Sequence, residues 1–271
     1  MPLSDLIARQ DEWARSRWHD HAGRRAPSLR ANLVIPMSRE VRLQFASGSG
    51  GELGRKDKPG KIYSLRSSSA LSYNVFAPWI GRDLEPLGRA LGVSLHDRTL
   101  CFERQFQHGL KSTPPNIDVA LDINQSRPLG IESKFTEPYG RKKDHPPLHD
   151  KYFTGNATRW TDLGLARCQA LAKSIGSRVQ FKRLGAGQLL KHILGLAWTT
   201  KASPRLMCVW FDNGCTEASE HRDELSRFRS LIDDTIDFRV QTYQDVFASL
   251  LREREPVRGY HTYLGNRYFP A

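Results

Sequence analysis

Apolar residues in this chain fall into short runs, and the spacing within the runs switches between helical and strand periods. Residues 4–20 predict a helix capped by Ser4 and lined by Leu6, Ile7, Trp13, Ala14 and Trp18. SSSALSYNVFAPWI (67–80) predicts a helix entered through serines and ended by Pro78, and a second short helix follows over 83–92, starting at Asp83. TLCFERQF (99–106) has the β-branched and aromatic content of a strand, and two more strands are expected over 117–123 and 129–135. Helices over 161–175 and 186–198 lead to RLMCVWF (205–211), the best candidate for a buried strand. A charged amphipathic helix (219–235), a short strand DFRV (237–240) and a helix with a Thr-x-x-Asp capping box (242–253) complete the series.

Strands interleaved with helices predict an α/β fold. RRAPSLR (24–30) interrupts the pattern, and ASGSGGELGRKDKPGK (46–61) reads as an exposed loop or flexible linker. The expected partition is an N-terminal helical extension with its flexible loop over 1–60, followed by one α/β domain over 61–271.

NIDVALDI and LGIESKF depart from plain strand composition because both carry acids. Alternation puts Ile117, Val119, Leu121 and Ile123 on one face, and Asp118, Ala120 and Asp122 on the other. In the next strand Leu129, Ile131, Ser133 and Phe135 oppose Gly130, Glu132 and Lys134. NQSRP (124–128) is short enough to make an antiparallel hairpin, and a turn centred on Ser126 sets Asp118 opposite Lys134 and Glu132 opposite Ala120. A two-residue slip would preserve the grouping of faces. One acid and one lysine would read as a cross-strand ion pair worth about 0.2–1 kcal/mol. The additional acid on the same face calls for a further cation. Two carboxylates that converge suit Mg²⁺, and a neighbouring lysine can orient or deprotonate a water and offset phosphate charge.

Composition narrows the partner. Hydrophobic residues make up 39% and aromatics 10%, as in an ordinary globular protein, and no stretch approaches the ~20 apolar residues of a membrane span. MPLSDLIARQDEW has early acids and no apolar core of a secretory signal. Cys101, Cys168, Cys208 and Cys215 form no C-x-x-C pair, which argues against structural zinc and fits reduced thiols in a cytoplasm. Lys and Arg total 41 against 29 acids, a net charge of +12, which favours a polyanionic partner.

Asp118 followed by Glu132-Ser133-Lys134 resembles the PD-(D/E)XK nuclease superfamily, whose signature is an Asp on one strand and Glu/Asp-x-Lys on the next. Ile117 stands where the family usually has Pro, with Pro114 and Pro115 just upstream. SSSALSYNVFAPW, CFERQF, NIDVALDI, IESKFTE, LARCQALAK and YLGNRYF are similar, in order, to blocks of bacterial restriction-endonuclease-like proteins, over roughly residues 60–271. The resemblance implies a restriction-endonuclease-like core, a central mixed sheet flanked by helices with the site at the strand ends. By carry-over, Asp118, Glu132 and the Ser133 backbone carbonyl would bind Mg²⁺ or Mn²⁺, and Lys134 would orient the attacking water. Glu103 would add an acid from the preceding strand, or be an ion-paired strand residue. Gln169 matches a supporting helical polar position, with ordinary helix surface as its competitor. The implied activity is a Mg²⁺-dependent deoxyribonuclease, an endonuclease of DNA defence, restriction or repair, and a homodimer is compatible with double-strand cleavage. The alternatives are a non-catalytic DNA-binding or partner-recruiting protein on the same fold, and a nuclease acting on RNA.

Arg141, Lys142, Lys143 and Lys151 follow the acidic strands in a polar, proline-bearing loop and are candidates for phosphate contact, with a solvated loop as the default. His145 and His149 in the same loop lack the helix that HExxH requires, and GAGQ (185–188) lacks the lysine of a phosphate-binding loop.

Overall fold

The computed structural model describes residues 3–18, 23–48, 50–55, 58–140, 147–153 and 159–269. Helices α1 (Leu3–Arg17), α2 (Leu29–Asn32) and α3 (Arg39–Ser47) come first, followed by a ribbon of β1 (Gly54–Arg55) and β2 (Lys58–Pro59). Next come α4 (Ser68–Phe76) and α5 (Glu85–Leu91). The main sheet has the order β3-β4-β5-β6-β7, with β3 at Leu100–Gln105, β4 at Asn116–Leu121, β5 at Leu129–Lys134, β6 at Arg205–Trp210 and β7 at Asp237–Thr242. β3, β4 and β5 are antiparallel neighbours, whereas β5, β6 and β7 are parallel. Parallel neighbours need long crossovers. Here α6 (Arg159–Asp162), α7 (Ala166–Ser174) and α8 (Ala186–Thr200) connect β5 to β6, and α9 (Thr216–Leu231) connects β6 to β7. α10 (Tyr243–Leu250) and α11 (Tyr260–Tyr268) follow.

Alternation along β6 shows how the layers are made. Met207 and Val209 enter one apolar cluster, with side chains from α1, α3, α4, α5, α10 and α11. Leu206, Cys208 and Trp210 enter the other, with side chains from α6 to α9. A strand buried on both faces is continuously apolar, which is why RLMCVWF reads so cleanly. This is the mixed sheet flanked by helices that the resemblance implies. Residues ahead of position 60 share this core: Leu6, Leu29, Leu33, Val41 and Phe45 pack in one cluster with Phe102 and Val119 of the sheet. α1 is also tied to α11, where Gln10 Nε2 donates to the Arg267 carbonyl at 2.6 Å.

Two expected caps are present. Ser67 Oγ accepts from Ala70 N at the start of α4, and Thr242 Oγ1 accepts from Asp245 N at the start of α10, at 3.2 and 3.0 Å. α2, α3 and α11 lie outside the elements expected from sequence, although Ser28 and Ser38 cap the first two. The Gly-rich stretch near residue 50 differs from an open linker, because its backbones pack on one another. A Cβ at Gly60 would lie 2.1 Å from the Glu52 carbonyl oxygen, and Gly54 has φ +84. Glycine permits this close approach, and the turn it makes buries Glu52.

Candidate active site

The site forms where the β4–β5 ladder stops. The paired positions are Leu121 with Leu129, Ala120 with Gly130 and Val119 with Ile131. Residue numbers therefore sum to 250 rather than the expected 252, so the next positions in register are Asp118 and Glu132. The slip is of two residues, so the acids stay grouped. Its cause is the turn: β4 ends at Leu121 instead of Ile123, and the connection runs over seven residues, 122–128. Beyond Val119 and Ile131 a side-chain bond replaces the ladder, with Ser133 N donating to Asp118 Oδ2 at 2.7 Å. Asp118 Oδ1 takes no hydrogen bond among the described residues.

Glu132 and Lys134 point toward α8, while Ser133 points the other way, where its hydroxyl meets the Tyr243 hydroxyl at 2.6 Å. Glu132 is buried, at 1% exposure of its side chain, against 13% for Lys134. Lys134 Nζ donates to Glu132 Oε1 and, at 3.3 Å, to Gln188 Oε1. His192 Nε2 lies 2.9 Å from Glu132 Oε2. Both oxygens of Glu132 are thus engaged, one by the strand's own lysine and one by α8.

Glu103 lies on β3, next to Asp118 in the antiparallel register that surrounds it. Its φ of +51 is unusual for a residue with a Cβ, a conformation that costs of order 1–3 kcal/mol and that clusters at functional sites. Asn116 Nδ2 donates to Glu103 Oε2 at 2.8 Å. Along β4 the expected alternation is broken, because Ile117 packs in the same cluster as Ala120 and Val119 in the other. Glu52, which sequence reasoning missed, faces this group. It accepts from Ser69 Oγ at 2.6 Å and from Lys61 Nζ at 3.3 Å.

Electrostatics express the surplus of acids. Burial, and then the carboxylates of Glu132 and Glu103, push the Asp118 carboxyl well above its ordinary range. Burial and Glu52 likewise push Glu103 up to about 7. Burial opposes charge on Glu132 too, but Lys134 and His192 outweigh it and bring that carboxyl down to about 2. Burial disfavours the Lys134 ammonium, yet Glu132, Asp118 and Glu137 overcome it and hold the lysine more firmly protonated than usual. Lys134 is therefore held as a cation and hydrogen-bond donor near neutral pH.

Among the described residues, no three His, Cys, Asp or Glu side chains gather as a complete metal shell. Mg²⁺ does not require one, since it takes one or two carboxylates and retains several waters. Asp118 and Glu132 supply two hard oxygen donors in a region of excess negative charge, and Asp118 Oδ1 is free to coordinate. The donor set fits a small divalent cation.

Other expected residues fall elsewhere. Gln169 sits half-buried on α7, whose packing partners are α6, α8 and α9, and the helical glutamine bonded to Lys134 is Gln188. Lys151 is exposed, with Nζ 5.6 Å from the Tyr152 ring. Arg141, Lys142, Lys143 and His145 lie outside the described residues. Asp122, grouped with Asp118 by alternation, lies away from the site. It is fully buried with φ +54, accepts from His96 N and Asp97 N at 2.8 and 3.0 Å, and meets Arg205 Nη1 at 3.4 Å. It fastens the β4 end to the segment before β3. Gln188 and His192 had one sequence signal, a polar pair four residues apart on an otherwise apolar helix face.

A family model described as Restriction Endonuclease associating with ARP matches residues 9–269. Neither the curated proteins nor the solved structures compared with the chain give a match.

Proposed function

The chain belongs to the family described as Restriction Endonuclease associating with ARP, and from that premise we propose that it is a metal-dependent deoxyribonuclease of the PD-(D/E)XK type. The observation that carries this reading is the register that brings Asp118 beside Glu132, with Lys134 bonded to Glu132, at the point where β4 and β5 cease to pair. Asp118, Glu132 and the Ser133 carbonyl would hold Mg²⁺, or Mn²⁺ in its place, and the ion would supply Lewis-acid stabilisation of charge on the phosphate.

The remaining work falls to side chains. Lys134, kept protonated by the acids around it, donates a hydrogen bond to the attacking water and orients it toward phosphorus; the water oxygen bonds to phosphorus, its proton passes to bulk water, and the leaving oxygen takes one from bulk water. As the P–O bond to the leaving nucleotide breaks, the same ammonium offsets negative charge that builds on the phosphate oxygens. Ser133 N, bonded to Asp118 Oδ2, keeps that carboxylate from swinging into the sheet. The net charge of +12 supports a polyanionic substrate and long-range attraction of its backbone. We also extend to this chain the association with ARP that the family description names, and read ARP as its partner.

The test is incubation of the full chain with supercoiled plasmid, single-stranded DNA and RNA, in Mg²⁺ or EDTA. DNA cleavage in Mg²⁺ that EDTA abolishes supports the reading. Cleavage that survives EDTA sinks the metal dependence, cleavage of RNA alone reassigns the substrate, and binding without cleavage favours a non-catalytic role. Retention of ARP on the tagged chain checks the partner.

A further inference from the structure

Gln188 and His192 are the two polar side chains that α8 turns toward the Glu132-Ser133-Lys134 strand, in the run GQLLKHILGLA. Standing four residues apart, they share one helix face. Gln188 Oε1 takes a hydrogen bond from Lys134 Nζ at 3.3 Å, and His192 Nε2 reaches Glu132 Oε2 at 2.9 Å. We infer that the two form a clamp, in which His192 and Gln188 are positioning residues that fix Glu132 and Lys134 in the rotamers used by the reaction. The inference rests on the proposed nuclease reading.

Packing alone does not call for a histidine at position 192. The helix around it is built of Leu189, Leu190, Ile193 and Leu194, all buried, and an apolar side chain would fill the same space. A buried polar ring is costly unless it is bonded, and the bond it makes is to Glu132. An ionised carboxylate accepts only, so the ring presents Nε2–H to it. Nδ1 has no hydrogen-bond partner among the described residues. The ring thus directs its Nε2 donor to one oxygen of Glu132. Oε1 takes the Lys134 ammonium, and the second lone pair of that oxygen is the one Glu132 would turn to a cation. Gln188 supplies the matching restraint on the lysine. A long flexible ammonium that could follow either oxygen is held between a carboxylate and an amide.

The test uses the full chain and three readouts. In ¹⁵N-histidine spectra without metal or substrate, His192 is expected to carry a proton on Nε2, with its signal displaced in Glu132→Gln; an Nε2 without a proton overturns the clamp. Mn²⁺ titration followed by EPR should show His192→Leu binding about 10–100-fold more weakly than wild type, the usual effect of losing the partner that orients a ligand. His192→Gln, which can place an amide N–H near the same point, should restore most of that loss. Gln188→Leu should lower kcat about tenfold with Mn²⁺ affinity unchanged, because it frees Lys134 and leaves the carboxylates alone. If His192→Leu does not fold, Gln188→Leu and the Nε2 proton of the wild type still decide the matter. Wild-type Mn²⁺ affinity in His192→Leu, or wild-type kcat in Gln188→Leu, overturns the inference. A chain that cleaves no nucleic acid but shows the Nε2 proton and the Glu132→Gln displacement loses the nuclease reading and keeps the clamp. A chain that cleaves normally with His192→Leu keeps the nuclease reading and loses the clamp.

Discussion

Asp118 and Asp122 look interchangeable in NIDVALDI, yet their substitutions should have opposite effects. Asp122 is fully buried and accepts the backbone N–H groups of His96 and Asp97, with Arg205 at 3.4 Å. Hydrogen bonds to a charged group contribute about 1.5–3 kcal/mol each. Taking the low end for two bonds and nothing for the long Arg205 contact, Asp122→Ala should cost about 3 kcal/mol. At roughly 2–4 °C per kcal/mol for chains near this size, the fall in Tm is about 6–12 °C. Asp122→Asn keeps an acceptor for both N–H groups and tolerates the φ of +54. Its loss should stay near 1 kcal/mol. Asp118→Asn removes a carboxyl that burial and its neighbours already disfavour as an anion, so stability at pH 8 should hold or rise while cleavage is lost. Urea unfolding followed by far-UV circular dichroism and tryptophan fluorescence measures all three. A loss below ~1 kcal/mol in Asp122→Ala would refute the structural role, and so would equal losses in Asp122→Ala and Asp122→Asn.

Glu103 gives a pH dependence. Its carboxyl rises from an ordinary 4.5 to about 7, so the unfolded chain ionises first as pH increases. Stability present below pH 4.5 is therefore lost on the way through pH 7, by at most ~3 kcal/mol for this shift. Glu103→Gln should flatten the profile of unfolding free energy over that interval, and an unchanged slope would contradict the environment assigned to Glu103. Gly60→Ala would set a Cβ 2.1 Å from the Glu52 carbonyl oxygen; faster hydrogen exchange across residues 50–55 and 58–60 is expected, and native protection there would mean the close approach is not needed. Duplex binding, measured by anisotropy in Ca²⁺ across a salt series, should show log K falling against log salt with a slope steeper than about −3, since more than three phosphates are expected to be neutralised. A flat response would remove the argument from charge.

The sheet was legible in the sequence because burial on both faces forces β6 to be apolar, and because period-two alternation sorted Glu132 and Lys134 correctly. Register was not legible. It depends on where β4 ends, and Asp122 ends it by adopting a left-handed backbone that its neighbours in the sequence do not announce. Ile117 broke the alternation as well, packing with Ala120 rather than Val119. Gln188 and His192 lie 54 and 60 residues from their partners, and no local spacing rule reaches that far. Glu52 was hidden by composition, since the same glycines that suggest a linker also allow two backbone segments to meet and bury an acid.

The central claim is that Asp118, Glu132 and Lys134 cleave DNA together, and single-turnover cleavage of an end-labelled duplex in Mg²⁺ tests it most directly. Wild type, Asp118→Asn and Lys134→Met are compared at saturating protein, with duplex affinity measured separately in Ca²⁺. Each variant should cleave about 10²–10⁴-fold more slowly while binding the duplex as wild type does. Cleavage by both variants at the wild-type rate would contradict the account.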